Sequence, residues 1–545
     1  MSRWPWLRRW CRRLALAVVG TFVLTVVVEQ LFDWLNPYPL ARLQALEVST
    51  VVEAADGSWL RVVPTTRGER VLPLTWAEAP PLLRAVVMVA EDARFFAHAG
   101  VDGWALLRAA ATDLRAQRVV SGASTLTMQV VRIVEPRPRT WSVKAFEVLR
   151  ARQLERCLGK EAIAGVWLQQ VPMGGTLRGF AAAAHYWYGR PVAELGLAEL
   201  AALVAMVPAP SARSPRRHPE LLRARRDALL LRLRDQGVVA PAAAIAAMAQ
   251  PLGMHAHAWP WALPELADLC VDELRGARPP HCRTGGDPGL DAWLRATLRD
   301  LELPGDAAAV VVLDRASGAV RALVGRLAGG AGLDATRRRR SLGSTLKPFL
   351  YAMAREAGAC SEHGLIDDTP LVIGDWQPRN FQRGNAGALS AADALATSNN
   401  VAAVRCLQRV GTTAFRDLLL GLGLPSSAAN GDLTAALGTG AASPLELARA
   451  WQRFLAAPAR VGLSRPSVDW TLRALQRLPL AAGRRGGAMA WKSGTSSGRR
   501  DAWCAGVDAQ HVVVVWLGNQ DGRGDADLVG ARSATEVLAR VAAGL

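Results

Sequence analysis

Four short stretches carry residue types that could do chemistry. EDARFFAHAG, residues 91–100, follows the apolar run AVVMVA with two carboxylates, two phenylalanines and a histidine. Pro80 and Pro81 suit the first turn of a helix, which places Glu91 and Asp92 at its C-terminal end, where the macrodipole disfavours negative charge. That raises a carboxylate's pKa, the direction a general base needs. Taken alone, the stretch reads better as a frayed helix end with solvated acids and a Phe95/Phe96 core contact. LGSTLKPF places Ser344 and Lys347 one helical turn apart, and an amine with a depressed pKa can deprotonate a serine hydroxyl. A helix N-terminus at Ser344 would stabilise developing negative charge there. Alone, this pair reads as a serine cap with an exposed lysine. Ser398-Asn399-Asn400 follows 54 residues on, and Lys492-Ser493-Gly494-Thr495 a further 94. Together the three segments offer a hydroxyl, a carboxamide and two ammonium groups.

Positioning such groups requires ordered elements, and the chain supplies them in two styles. Residues 36–75 form a connector with period-two stretches around the turn Asp56-Gly57-Ser58. From 76 to 250 nearly every segment is Ala/Leu-rich with helical spacing, broken by loops such as VPMGGTLRG, which predicts a mostly α domain. Residues 251–300 are rich in Pro, Gly and Trp and read as a linker. From 301 to 545 the style changes. AAAVVVLDRASGAVRALVG reads as strand, turn and strand with Ser317-Gly318 in the turn, helices follow from about 344 to 457, and strands return in AMAWKSG and HVVVVWLG. An α/β domain with an antiparallel sheet flanked by helices is expected there. No internal repeat is present.

Composition bounds the rest. A chain of 545 residues suits about three to four domains. Half of it is hydrophobic, so it is globular and not disordered. Its net charge of +18 is nearly all arginine and suits anionic partners. With no zinc finger, aromatic RNA-binding signature or basic heptad zipper, nucleic acid is not among them. MSRWPWLRRWCRR precedes an apolar stretch of 19 residues, about 28 Å as a helix and close to a bilayer core. No small-x-small cleavage site follows it, so residues 1–35 read as a cytoplasmic tail and single-pass anchor, with everything after it outside the cytoplasm. The seven cysteines show no metal spacing. Cys270 and Cys282 could pair, but a scattered odd set more often means several buried free thiols.

SxxK, S-x-N and K-[ST]-G in that order are the signature of serine acyltransferases that react with penicillin. Residues 300–535 therefore resemble a penicillin-binding transpeptidase domain, with SNN for SDN and KSG for KTG keeping the same functional groups. The aspartate in GRRDAW and the stretch ALGTGAASPLELA resemble that domain's surroundings. Upstream, EDARFFAHAG is similar to the first motif of a family 51 glycosyltransferase, which precedes the transpeptidase in class A bifunctional penicillin-binding proteins. GASTLTMQ (122–129), RTWSVKAFE (139–147) and GGTLRGFAAAAHYWYGR (174–190) resemble its later motifs. ASTLTMQ and WKSGTSSGRRDAW look most like the 1C type, whose extra C-terminal module is expected to be absent here.

The resemblance implies a lysozyme-like glycosyltransferase fold and a serine β-lactamase/transpeptidase-like fold. In the first domain it implies Glu91 as base, and Glu147 as a second carboxylate beside the pyrophosphate of lipid II. Glu147 could hold a divalent metal ion, Mg or Mn, or help the leaving group. Lys144 and Arg139 would face the pyrophosphate, and Ser124, Thr125 and Gln129 would donate hydrogen bonds. Without the other motifs, Lys144/Glu147 would be a surface ion pair and Ser124 a helix cap. His98 is expected to be structural. In the second domain the resemblance implies Ser344 as nucleophile, Lys347 as base and Ser398 as proton relay. Asn400 would hold the substrate amide, Lys492 and Thr495 would bind the terminal carboxylate with Ser493 and Gly494 also in the substrate-binding set, and the backbone N–H groups of Ser344 and Thr495 would form an oxyanion hole. Expected partners are lipid II, nascent peptidoglycan, the inner membrane, β-lactams as acylating inhibitors and cell-wall synthesis proteins; the catalytic domains would lie in the periplasm. The transpeptidase would need no cofactor. One departure stands out: where the family has a pattern like ExYLN, this chain has Gly165 and Gln169 in place of the carboxylate and the asparagine, with Glu155 the nearest spare acid. A binding or sensor protein that has lost one or both activities is the second reading.

Overall fold

The computed structural model describes residues 5–105, 108, 124–138, 140–325, 334–360, 364–381, 384–478, 480 and 489–545. Arg139, Gly122 and Ala123 lie outside the described residues. The chain divides into two compact units, one of residues 1–51, 62–259 and 277–281, the other of 52–61, 260–276 and 282–545.

The first unit opens with a helix, Pro5–Leu35, whose segment Arg12–Leu35 has a mean hydropathy of 2.1 and is unburied, long and apolar enough to cross a membrane. Its end is tied to the helix Trp141–Cys157: Arg152 Nε meets Glu29 Oε1 at 2.6 Å and Arg156 Nη2 meets Asp33 Oδ2 at 2.6 Å. The glycosyltransferase-like region is helical, as the spacing predicts. Pro81–Glu91 buries Leu83, Val86 and Val87 on one face, and its chain enters through Pro80 and Pro81. Leu126–Val134 starts at Thr125, whose hydroxyl accepts from Met128 N at 3.2 Å, and Trp141–Cys157 starts at Thr140, which accepts from Val143 N at 3.2 Å. The VPMGGTLRG stretch differs from the expected loop. It forms two short strands, Pro172–Gly174 and Leu177–Arg178, and the second pairs in parallel with Arg70–Val71.

The second unit is built on a five-stranded antiparallel sheet of β1 (Ala307–Asp314), β2 (Val320–Val324), β3 (Ala490–Thr495), β4 (Asp501–Val507) and β5 (His511–Gly518), in the order β3-β4-β5-β1-β2. Valine-rich β1 and β5 pair at the centre and are buried on both faces. Gly318 turns the β1–β2 hairpin at φ 77°, with Ser317 Oγ donating to Asp314 at 2.6 Å. The segment 251–300, read as a linker, carries two helices, Pro264–Glu273 and Pro288–Arg299. Leu294 and Leu298 of the latter join the sheet core with Val310, Val312 and Leu538. Two of its prolines, Pro264 and Pro288, sit at the helix starts, where they fit. Cys270 and Cys282 are joined in a disulfide, whereas the sequence favoured free thiols. The physical reason is placement: Cys270 ends one side of the short chain reversal that brings Cys282 back beside it.

Candidate active site

In the first unit, Glu91 ends its helix beside a cleft of about 880 Å³ that Ser124, Gln129, Arg132 and Trp167 also line. Burial pushes the Glu91 carboxyl above its ordinary pKa; the hydrogen bond from Gln129 and the guanidinium groups of Arg232 and Arg213 oppose this. Gln129 Nε2 donates to Glu91 Oε2 at 2.9 Å, and its Oε1 accepts from Trp167 Nε1 at 3.0 Å. That chain fixes the orientation of the amide, since only the oxygen can face an indole N–H. Asp92 serves the fold instead. It accepts from the backbone of Leu126 at 3.0 Å and lies 3.1 Å from His98 Nε2, so it joins the EDARFFAHAG turn to the start of the next helix. His98 faces Asp92 within this turn.

Of the other predicted residues Ser124 lines this cleft, and Lys144 and Glu147 connect to it through Ser124 and Arg132. Lys144 Nζ donates to Ser124 Oγ at 2.5 Å and lies 3.7 Å from Glu147 Oε2. Glu147 is buried and meets Arg132 Nε at 2.9 Å through its other oxygen. Thr125 is the helix cap and Ser124 precedes it; the Thr125 hydroxyl donates to Gly100 O at 2.6 Å, so its proton serves the fold. Glu155 accepts from Thr127 at 2.6 Å and Lys160 at 2.7 Å and has no place at the cleft lining. Gly165 packs so closely that a Cβ there would lie 3.2 Å from Trp76 N. A side chain at this position would need the Trp76 backbone to give by a few tenths of an ångström. Arg132 and Trp167 were not singled out from sequence. Arg132 lies one turn beyond Gln129 on the same helix, a signal that was available.

In the second unit, Ser344 lies in the tight turn Gly343–Leu346, which runs straight into the helix Lys347–Glu356. Gly343 has φ 54°, and a Cβ on it would lie 2.7 Å from Thr495 O. Only glycine allows this contact, which sets the Ser344 turn directly against the edge strand β3. Lys347 is fully buried and points at the second motif: its Nζ donates to Ser398 O at 2.7 Å, Asn400 Oδ1 at 2.7 Å, Asn399 O at 3.2 Å and Ser398 Oγ at 3.4 Å. From β3, Lys492 Nζ donates to the same Ser398 Oγ at 2.8 Å. Ser398 itself is held at φ 61°, a left-handed conformation rare for serine, between the helices Ala391–Ala396 and Asn400–Val410. Burial, then repulsion from Lys492, holds the Lys347 amine well below its ordinary pKa. Burial pushes Lys492 down to about 8.

Asn400 is more engaged than expected. Its Nδ2 donates to Arg379 O at 2.8 Å while Asn380 Oδ1 accepts the backbone N–H groups of Asn400 at 2.8 Å and Val401 at 3.2 Å. Asn380 was not singled out from sequence. Ser493, Gly494 and Thr495 run along the sheet edge, with Lys492 and Gly494 buried and Ser493 and Thr495 half-buried. Thr495 Oγ1 accepts from Gly530 N at 3.0 Å.

The transglycosylase family model matches residues 57–234, and the penicillin binding protein transpeptidase domain matches residues 308–461. Penicillin-binding protein 1C of Escherichia coli K12 is 34% identical across 93% of this chain and 69% of its own length. The chain belongs to the class A penicillin-binding proteins. It carries both enzymatic domains of that family, the glycosyltransferase and the transpeptidase, and its place is in peptidoglycan synthesis. Penicillin-binding protein 1B of Escherichia coli K12 is 28% identical over 89% of this chain and 65% of its own length, so the chain spans about two thirds of these relatives. The crystal structure of penicillin-binding protein 1A from Haemophilus influenzae, 17% identical, covers 91% of this chain and 92% of its own with a TM-score of 0.55, which speaks to the fold.

Proposed function

We propose that this penicillin-binding protein polymerises lipid II at the Glu91 cleft and cross-links stem peptides through an acyl-enzyme on Ser344. The observation that carries the second activity is the meeting of two buried lysines, from separate motifs, at one serine hydroxyl, Ser398 Oγ. Lys347, its amine held below its ordinary pKa by burial and by its cationic neighbour, takes the Ser344 proton as the hydroxyl attacks the D-alanyl carbonyl. Ser398, bonded to both amines, passes a proton to the departing D-alanine. The N–H groups of Ser344 and Thr495 receive the oxyanion, supported by the close packing of Gly343 on Thr495. Lys492, Ser493 and Thr495 hold the terminal carboxylate, with Gly494 keeping the strand flat against the Ser344 turn: a Cβ on it would lie 2.6 Å from Leu342 O. Asn400 orients Lys347 and presents the site to the substrate amide. β-Lactams acylate Ser344 by the same route.

At the cleft, Glu91 takes the proton of the acceptor hydroxyl while Gln129 holds its other oxygen. Lys144, Arg132 and Ser124 face the pyrophosphate, and Glu147 holds Arg132 and Lys144 in place. Both Glu147 oxygens already face cations, and among the described residues no three His, Cys, Asp or Glu side chains gather round one point. A divalent ion beside the pyrophosphate would have to share Glu147 with Arg132 and Lys144 and take its other ligands from substrate and water, and no step is routed through one. The Pro5–Leu35 helix anchors the chain in the inner membrane, with both catalytic units in the periplasm and open to other cell-wall synthesis proteins.

Purified full-length protein given lipid II yields glycan strands that vanish in Glu91→Gln, and it takes a fluorescent penicillin label that vanishes in Ser344→Ala. Each variant should keep the other activity. Neither signal in the wild type would favour a sensor or scaffold and end this reading.

A further inference from the structure

Outside both sites, two thiols face one another. Cys360 closes the turn after the Lys347–Glu356 helix, held by its N–H to Ala354 O at 3.1 Å, and Cys406 lies within the Asn400–Val410 helix. Their sulfurs are 3.1 Å apart, and their side chains are 4% and 0% exposed. They are separated by 46 positions, and Ser398 lies in the loop between them. The helices they join are the ones that deliver Lys347 and Asn400. Among the described residues the other free thiols have no such arrangement: Cys504 is buried within reach of Thr535, and Cys157 is exposed. A metal is not what this pair is shaped for, since among the described residues no third His, Cys, Asp or Glu side chain joins it.

The two sulfurs are also unequal. A hydrogen bond from Cys406, helped by Arg409, lowers the Cys360 pKa, whereas Cys406 is raised by that same pairing and by burial. Cys360 also lies next to the exposed turn Glu356–Gly358, the side from which an external disulfide would reach the pair, which makes it the first to react.

We propose that Cys360 and Cys406 are a redox modification site whose disulfide staples the Lys347 helix to the Asn400 helix. The Cys360 thiolate attacks an external disulfide, forming a mixed disulfide and releasing one thiolate. The Cys406 sulfur then attacks the Cys360 sulfur, its proton passing to the second departing thiolate. One external disulfide and two protein thiols become two external thiols and one protein disulfide. The oxidising compartment rests on the topology proposed above; the pairing of the sulfurs does not.

The test uses the wild-type full chain in its own membranes, acid-quenched, alkylated with N-ethylmaleimide and digested without reduction. A cross-linked Cys360–Cys406 peptide pair is expected by mass spectrometry. In purified protein, dithiothreitol should lower the melting temperature of the oxidised wild type by roughly 5–15 °C more than that of the Cys360→Ser/Cys406→Ser double variant, which retains Cys270–Cys282. Alkylation of both thiols in membranes and again after treatment with oxidised glutathione would overturn the proposal. Thiols that are reduced in membranes but close with oxidised glutathione would support the site and count against the topology. Loss of penicillin labelling alone would bear on Ser344 and leave this pair standing.

Discussion

Gln129→Met is the sharpest probe of the Glu91 cleft. Methionine matches glutamine in length and removes both polar atoms, so Glu91 loses the 2.9 Å bond from Nε2 and Trp167 loses its 3.0 Å acceptor. Burial already raises the Glu91 pKa, and Gln129 is the largest opposing influence. A hydrogen bond to a charged group contributes about 1.5–3 kcal/mol, and most of that favours the carboxylate over the neutral acid. Glu91 then protonates more readily. A base works deprotonated, so polymerisation rises with pH through the Glu91 pKa, and raising that pKa moves the acid limb to higher pH. At a fixed pH on that limb the rate should fall roughly ten- to a hundredfold, while the high-pH plateau stays within a few-fold of wild type. Trp167→Phe controls for the broken indole contact, because it leaves Nε2 free to serve Glu91 and should move the limb far less. The assay is polymerisation of fluorescent lipid II between about pH 5 and 9. An acid limb that stays put while the plateau collapses would show that Gln129 only supports the fold, and Glu91 would lose its standing as the base.

The remaining predictions probe burial and packing. Lys492→Met removes a buried ammonium whose pKa is pushed down to about 8 from an unfolded value of about 10.4. Between those two pH values the unfolded chain holds more protons, so stability rises with pH there, and below about 8 the full cost of about 3 kcal/mol is present. After the lost bonds to Ser398 and Ser493, the variant should unfold a few degrees higher than wild type at neutral pH, show no gain above about pH 10.5, and take no penicillin label. A lower melting temperature at pH 7 would contradict this. Gly343→Ala meets both a φ of 54° and the Thr495 carbonyl, so acylation by penicillin should slow at least about tenfold, with a stability loss of roughly 1–3 kcal/mol by denaturant melt. Arg150→Met removes the donor that binds Glu135 at 2.9 Å and the carbonyls of Asn36 and Pro37 just past the membrane helix. Because Arg42 and Arg137 remain 3.6 Å from Glu135, the cost should lie near about 3 kcal/mol, read by calorimetry as a lower transition of the first unit.

What could be read from the sequence was what depends on local spacing and residue type. The β1–β2 hairpin was legible because valine-rich runs flank a Ser-Gly turn, and the segments that meet at Ser398 because three short motifs stand in order. The partners that make those residues work were not. Arg132, Trp167 and Asn380 reach their targets across 15 to 38 positions of chain. In a chain with 65 basic residues, nothing local marks which arginine will be buried against which acid. Gly165 is the instructive case. From sequence it is a missing carboxylate, which counts against activity. In the fold it is the point where one helix presses on the Trp76 backbone, with little slack for a side chain, while Glu147, Lys144 and Arg132 meet one another elsewhere. A motif position can thus be emptied by packing as well as by loss of function, and only the neighbours of the missing side chain tell the two apart. Here the neighbour is backbone, so restoring the acid as Gly165→Glu should destabilise the first unit, seen as a lower calorimetric transition, and bring no gain in polymerisation.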